Sequence, residues 1–395
     1  MDTTLSLWID QIHAAAAQHQ TLNIQGGGSK AFYGQPAAGA QGLDTRAHAG
    51  IVSHEPSELV VTARCGTPLV ELEAALAAHG QCLAFEPPHF RAVGADSPSL
   101  ATVGGMVACG LAGPARANVG GVRDHVLGLQ MINGKGEWLT FGGQVMKNVA
   151  GYDVSRLLAG SWGTLGLITE VSLKVLPIAP AQAHLMCRLP QDQALALLHR
   201  WGGQPLPLNA SCWVQDNSMP GQPEMLFVRL RGAQAAVEAA QVRMSQDVAA
   251  LNSELTLQGS ELAAQDWMAC ADQRLPFFTQ AAALPDVALW RLSVPQTAPA
   301  LNLPATASAP FIEWHGAQRW VWAPLSDAEA LRKAASQVGG QATLFKRPQQ
   351  ASAATPVSVP VFTPLDKVQQ RIQQALKQEF DPAGLFGPRR LNAHF

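Results

Sequence analysis

Thr102-Val103-Gly104-Gly105-Met106-Val107-Ala108-Cys109-Gly110-Leu111-Ala112-Gly113-Pro114 opens a stretch, ending at Glu170, around which the chain is organised. The stretch closes with Lys147-Asn148-Val149-Ala150-Gly151-Tyr152-Asp153 and then Gly160-Ser161-Trp162-Gly163-Thr164-Leu165-Gly166-Leu167-Ile168-Thr169-Glu170. Most residues between are apolar or small. Glycine has no Cβ, so its backbone can approach a ligand closely or take a positive φ. Taken singly, these glycines make turns in a β-rich domain. Taken as a set with Gly26-Gly27-Gly28, they suggest main chain lying against a large flat cofactor.

That second cluster has its own logic. Thr21-Leu22-Asn23-Ile24-Gln25 alternates like a strand and runs into Gly26-Gly27-Gly28-Ser29-Lys30. Consecutive backbone N–H groups in such a turn can point at one anion, and Ser29 and Lys30 add donors, which makes a nest for a diphosphate. The spacing is neither that of a Walker A loop nor G-x-G-x-x-G.

Bulk properties narrow the class. A chain of 395 residues has room for two or three domains. Charged residues make up 14%, against about 25% in an average protein, so much surface is neutral and suited to burial against partner subunits. A net charge of −2 gives no electrostatic case for nucleic acid. No apolar run reaches the roughly 18 residues of a spanning helix, and the N-terminus lacks a basic region followed by an apolar core. The expected location is cytoplasmic. Cys65, Cys82, Cys109, Cys187, Cys212 and Cys270 include no C-x₂-C pair, so no metal or iron–sulfur cluster is expected on this chain alone. They read as reduced, buried small hydrophobes.

Along the chain, residues 5–19 form an amphipathic helix on Leu5, Trp8, Ile9 and Ile12. Short strands flank Glu55-Pro56, and a helix over 67–79 starts at Pro68 and stops at Gly80. Residues 126–131 and 137–141 make a hairpin about Asn133-Gly134. A short helix reaches from Tyr152-Asp153 to Leu158, and residues 167–176 form a strand. After Pro177 glycines thin out. Strands at 226–230 and 287–294, a helix at 233–251 using Val237, Val242, Met244 and Val248, a hairpin at 311–322, a helix at 327–338 and a strand at 342–345 suggest a small α+β cap. A Pro/Ala/Ser linker over 348–360 precedes an amphipathic helix on Val368, Ile372, Leu376 and Phe380.

Together these segments resemble the flavoprotein family whose FAD-binding domain is shared by vanillyl-alcohol oxidase and p-cresol methylhydroxylase. Within it they are most similar to the FAD-binding E subunits of bacterial glycolate oxidase (glycolate dehydrogenase). The residues that carry the resemblance are Gln25 to Lys30, Thr102 to Pro114, Gly142 to Asp153, Ile312 to Trp320 and Phe380-Asp381-Pro382. The resemblance implies an α+β chain: a two-subdomain FAD-binding domain over 1–178, an α+β cap over 179–347, and a linker with a C-terminal helix over 348–395 returning to the FAD domain. It further implies that Gly26, Gly27, Gly28, Ser29 and Lys30 cradle the pyrophosphate. Thr102, Val103, Gly104, Gly105, Ala108, Gly110, Gly113 and Gly120 would follow the ribityl chain and flavin, with Gly166 and Ile168 passing close by.

Three departures from the family pattern bear on role. Relatives with covalent FAD often carry a histidine in the pyrophosphate loop, whereas Ser29 and Lys30 imply non-covalent FAD. The His-x-Gly-Asp-Gly-Asn-x-His segment that holds metal and substrate carboxylate in catalytic 2-hydroxy-acid dehydrogenases is absent. Trp162 stands where many relatives have glutamate. Oxidising a 2-hydroxy acid needs a base and a cation beside the flavin, and no compact set supplies both. The resemblance therefore implies a subunit that holds FAD in an assembly: a homologous flavoprotein subunit oxidises glycolate, and an iron–sulfur subunit takes the electrons. Contact with that complex would bring the chain to the inner membrane. The alternatives are a stand-alone FAD-dependent 2-hydroxy acid or alcohol oxidoreductase and a cofactor-free structural subunit.

Among single residues, His54 reads as a turn or surface histidine. Arg116 and Arg123-Asp124 read as structural salt bridges, or as anion contacts beside the cradle. Lys147 and Tyr152 face the flavin or pack within the cradle. Trp314, Trp320 and Trp322 read as cap core or a subunit contact, and Arg389-Arg390 as a solvated tail.

Overall fold

The computed structural model describes residues 2–35, 39–91, 99–143, 154–280, 286–348 and 359–392. The run Lys147 to Asp153 and most of the 348–360 linker lie outside the described residues. The chain divides into two compact units. The first comprises Met1–Ala112, Gly120–Ile178 and Pro364–Phe395, and the second Gly113–Val119 with Ala179–Thr363.

In the first unit, the helix Thr3–Ala17 begins where Asp2 accepts the Thr4 N–H at 2.9 Å. Leu5, Trp8, Ile12 and Ala15 recur at helical spacing and are buried. They form a core cluster with Leu22, Leu43, Cys65, Ile132, Leu167, Leu385 and Phe386. Strand Leu22–Gln25 pairs in parallel with Gln41–Asp44. The C-terminal tail adds to its other edge, with Leu22 donating to the Leu385 carbonyl and Gly387 to the Leu22 carbonyl.

A five-stranded antiparallel sheet forms the rest of this unit's framework. Its order is Ile51–Glu55, Val60–Arg64, Leu167–Lys174, Val126–Ile132, Trp138–Gly142. The central strand Leu167–Lys174 is buried at six of its eight positions, as a strand covered on both faces should be. The hairpin forms about Asn133, whose side chain accepts the Lys135 and Glu137 N–H groups.

The glycine stretch, to which the sequence reading assigns no element, opens with a helix. Val103–Cys109 is a short α-helix, capped by Thr102 and ended by Gly110 at φ +63°. Two glycines in its first turn are a poor helix start by propensity. Packing decides: a Cβ on Gly104 would lie 2.6 Å from the Cys65 Cβ.

In the second unit an eight-stranded antiparallel sheet runs Thr256–Leu257, Ala181–Arg188, Glu224–Gly232, Leu208–Gln215, Phe311–Glu313, Gln318–Pro324, Val287–Ser293, Gln341–Lys346. Strands Ala181–Arg188 and Leu208–Gln215 and the helices Gln191–Gly202 and Ser260–Ala271 are not anticipated above. Ala181–Arg188 does alternate, with Ala181, Ala183, Leu185 and Cys187 on the face that joins the core, a period-2 signal that the sequence reading passes over. The helix Gln234–Ala249 buries Val237, Ala240, Met244 and Val248, while Val242 is exposed on the opposite face.

The last helix, Lys367–Phe380, also corrects an expectation. Its buried residues are Lys377 and Phe380, whereas Val368 and Ile372 are exposed. Lys377 Nζ donates to the Thr164 and Phe386 carbonyls at 2.7 and 2.8 Å and pairs with Asp381 at 2.8 Å. Asp381 in turn accepts the N–H groups of Leu385 and Phe386. A buried ion pair, not an apolar stripe, docks this helix. Among the described residues no helix is long and apolar enough to cross a membrane.

Candidate functional site

A cavity in the first unit gathers residues far apart in sequence. The strand Leu22–Gln25 delivers Gly26, Gly27, Gly28, Ser29 and Lys30 to it, the short helix delivers Thr102, Gly104, Gly105 and Ala108, and the start of the central strand delivers Gly166 and Ile168. Gly27 and Gly104 thus line one cavity.

The two glycine clusters play different parts. Among the described residues, the backbone N–H groups of Gly26, Gly27, Gly28 and Ser29 meet no acceptor. Gly28 sits at φ +74°, in the left-handed region that nests of successive amides use. Lys30 is buried at 6% exposure, and its Nζ donates to Ser29 Oγ at 3.3 Å. The amides of the second cluster are instead used within the protein: Val103 donates to the Thr67 carbonyl, Gly104 to the Cys65 carbonyl and Gly105 to Thr102 Oγ1. Glycines of both clusters matter as absent side chains, Gly104 against Cys65 and the first cluster against the second. Gly26 and Gly27 face it, where added Cβ atoms would lie 2.4 Å from Thr102 Oγ1 and 1.5 Å from the Leu100 carbonyl oxygen.

Four residues named from sequence stand outside this lining. Val103 is fully buried beneath it. Gly110 ends the helix, and Gly120, at φ +87°, abuts the Asp124 carboxylate. Gly113 belongs to the second unit, where its carbonyl accepts the Trp314 indole N–H.

The structure adds Asn23, Ile24, Ala31, Thr45, Cys65, Cys109, Gly163 and Leu167 to the lining, along with Gln25, Trp162 and Arg390, which the sequence singles out without assigning them to the site. Most are ordinary strand or loop residues with no local signal. Trp162 is different. Its φ is +58°, uncommon for a bulky residue, and its ring meets Tyr33 edge-on at 4.9 Å. The departure at Trp162 was visible in the sequence; its partner was not. Arg390, read as solvated tail, is half-buried, lies 5.4 Å over the Trp162 ring and donates to the Tyr33 carbonyl at 3.1 Å.

Chemically the cavity is cationic and lacks a base. Among the described residues lining it there is no Asp, Glu, His or Tyr. Burial pushes the Cys65 thiol up to about 12 and Cys109 to about 11, so both stay neutral near pH 7. Donor-rich backbone, two cations and apolar walls of Ile24, Ala108, Trp162 and Leu167 fit an anionic ligand with a flat apolar part.

The remaining candidates resolve as structure. His54 Nε2 bonds Gln81 Oε1 at 2.8 Å. Asp124 accepts the Gly121 N–H at 2.8 Å, and the Arg116 guanidinium lies 4.4 Å over the Trp314 ring. Trp314, Trp320 and Trp322 are buried in the second unit. Trp320 donates to Glu313 Oε2 at 2.6 Å, within a buried cluster that includes Gln318 and Cys270.

Comparison with known proteins agrees with this geometry. Residues 8–142 match the family model described as an FAD binding domain. Over 98% of its length and 96% of the relative's, the chain is 44% identical to the glycolate oxidase subunit GlcE of Escherichia coli (strain K12). The chain belongs to the GlcE family of glycolate oxidase subunits. FAD is the cofactor, and the family is one of FAD-dependent oxidoreductases. A shorter match, 32% identical over 127 residues, covers 32% of this chain and 25% of the glycolate oxidase subunit GlcD of Bacillus subtilis (strain 168). The fold is shared with alkyldihydroxyacetonephosphate synthase, at a TM-score of 0.65 and 15% identity over 97% of this chain and 75% of that one. That likeness carries the α+β fold.

Proposed function

We propose that the chain is the FAD-holding subunit of a glycolate oxidase complex, which oxidises glycolate to glyoxylate. The observation that carries this reading is a cavity where the amides of Gly26 to Ser29 meet no acceptor among the described residues, with cations at Lys30 and Arg390 but no acid–base group in its described lining. When bound, FAD supplies hydride and electron transfer. The residues from Gly26 to Lys30 hold its diphosphate, Thr102, Gly104, Gly105 and Ala108 line its path, and Gly166 and Ile168 close the far wall. No histidine lines the cavity among the described residues and both thiols are neutral, which supports non-covalent attachment.

Proton abstraction from the substrate falls to a partner. A homologous flavoprotein subunit carries that chemistry, and an iron–sulfur subunit receives the electrons. Similarity to a subunit named GlcD supports a pairing of related flavoproteins. The assembly is cytoplasmic and meets the inner membrane through its partners.

The test is co-purification with the partner subunits, counting flavin per chain and following glycolate-dependent dye reduction. We expect one FAD on this chain, negligible turnover alone and full turnover in the complex. Steady glycolate oxidation by the isolated chain would make it a self-sufficient oxidoreductase. A colourless chain that FAD cannot reconstitute would make it a structural subunit.

A further inference from the structure

We propose that Arg390, returned to the first unit by the C-terminal tail, is the second cation of the diphosphate site, so that the tail latches the cofactor. The inference rests on the FAD reading above and deepens it.

The tail is fixed on both sides of this residue. Leu385 and Phe386 are buried in the core cluster, Arg390 donates its N–H to the Gly387 carbonyl, and its own carbonyl accepts the Gln35 N–H. Its side chain crosses Gly34, with Cγ at 3.6 Å from where a Cβ would stand. The guanidinium then rests over the Trp162 indole and donates through Nη2 to the Tyr33 carbonyl. Neither contact neutralises it. An indole face and a carbonyl hold a guanidinium in place while leaving its charge available.

No carboxylate faces it either: among the described residues Arg390 forms no ion pair, and none of the lining residues is acidic. Half-buried arginines normally have such a partner, because an unpaired charge is costly to desolvate. Lys30 lines the same cavity, and Cys109 lies near both cations. An arginine so placed, beside a run of donor-ready amides, lacks only an anion. The dianionic diphosphate matches the joint charge of Lys30 and Arg390.

The test uses the full chain stripped of flavin and titrated with FAD and with adenosine diphosphate, comparing wild type with Arg390→Gln and Arg390→Lys. Apo melting is recorded for each. We expect Arg390→Gln to bind both ligands about 10- to 100-fold more weakly, with Arg390→Lys recovering most of the loss and apo melting little changed. Unchanged affinity in Arg390→Gln overturns the inference. So does an equal loss in both variants, because the effect would then come from shape and not charge. A wild-type chain that binds neither ligand defeats the FAD reading itself, a result separable from both.

Discussion

Gly27 shows how little freedom the loop after the first strand has. Any Cβ there would sit 1.5 Å from the Leu100 carbonyl oxygen, which is backbone and cannot swing away. Gly27→Ala is expected to destabilise the first unit by at least about 2 kcal/mol and to abolish flavin retention; thermal unfolding and the visible spectrum check both. Glu313 gives a residue-scale prediction in the second unit. Burial raises its pKa above the ordinary 4.5, although Trp320, Gln318 and Cys270 donate to it and favour its charged form. The folded state therefore holds the proton more tightly than the unfolded chain. The stability this group contributes is complete at low pH and is lost as pH climbs from about 4.5 through its raised value. Glu313→Gln should remove that dependence, so melting curves of wild type and variant from pH 4 to neutrality should diverge as pH rises.

At the scale of elements, the last helix depends on one ion pair. Lys377 satisfies two carbonyls and Asp381, and Asp381 satisfies two amides. Lys377→Met strands a buried carboxylate, and breaking such a pair costs about 3–5 kcal/mol. Denaturant unfolding should read that loss, and flavin affinity should fall with it because the tail carrying Arg390 is released. The helix itself was legible from its period, but its buried face was not. Val368 and Ile372 form an apolar pair at i, i+4 that faces out, while a lysine faces in. Helical period reports that a face exists; which face is covered depends on neighbours remote in sequence. The short helix after Thr102 makes the same point. Its glycines contradict helix propensity, and contact with Cys65 overrides it.

For the whole molecule, the first unit is assembled from three separate stretches and closes only when Pro364–Phe395 returns. A chain ending at residue 363 should therefore lose the Leu385 and Phe386 core, turn protease-sensitive in its first 178 residues and purify without flavin. The second unit, nearly continuous from Ala179 to Thr363, should persist as a resistant fragment. Limited proteolysis with mass spectrometry distinguishes the two outcomes.

The sequence by itself determined that a glycine run able to present consecutive amides follows the first strand, ahead of Ser29 and Lys30. It also determined the hairpin at Asn133, since that is local. Only the tertiary structure decided that Gly26 and Gly27 pack against Leu100 and Thr102, that the second cluster's amides are spent internally, and that Arg390 faces the cavity over Trp162. Those facts join residues as many as 357 positions apart, such as Tyr33 and Arg390. Burial and charge pairing at such distances arise from packing, which no local pattern encodes.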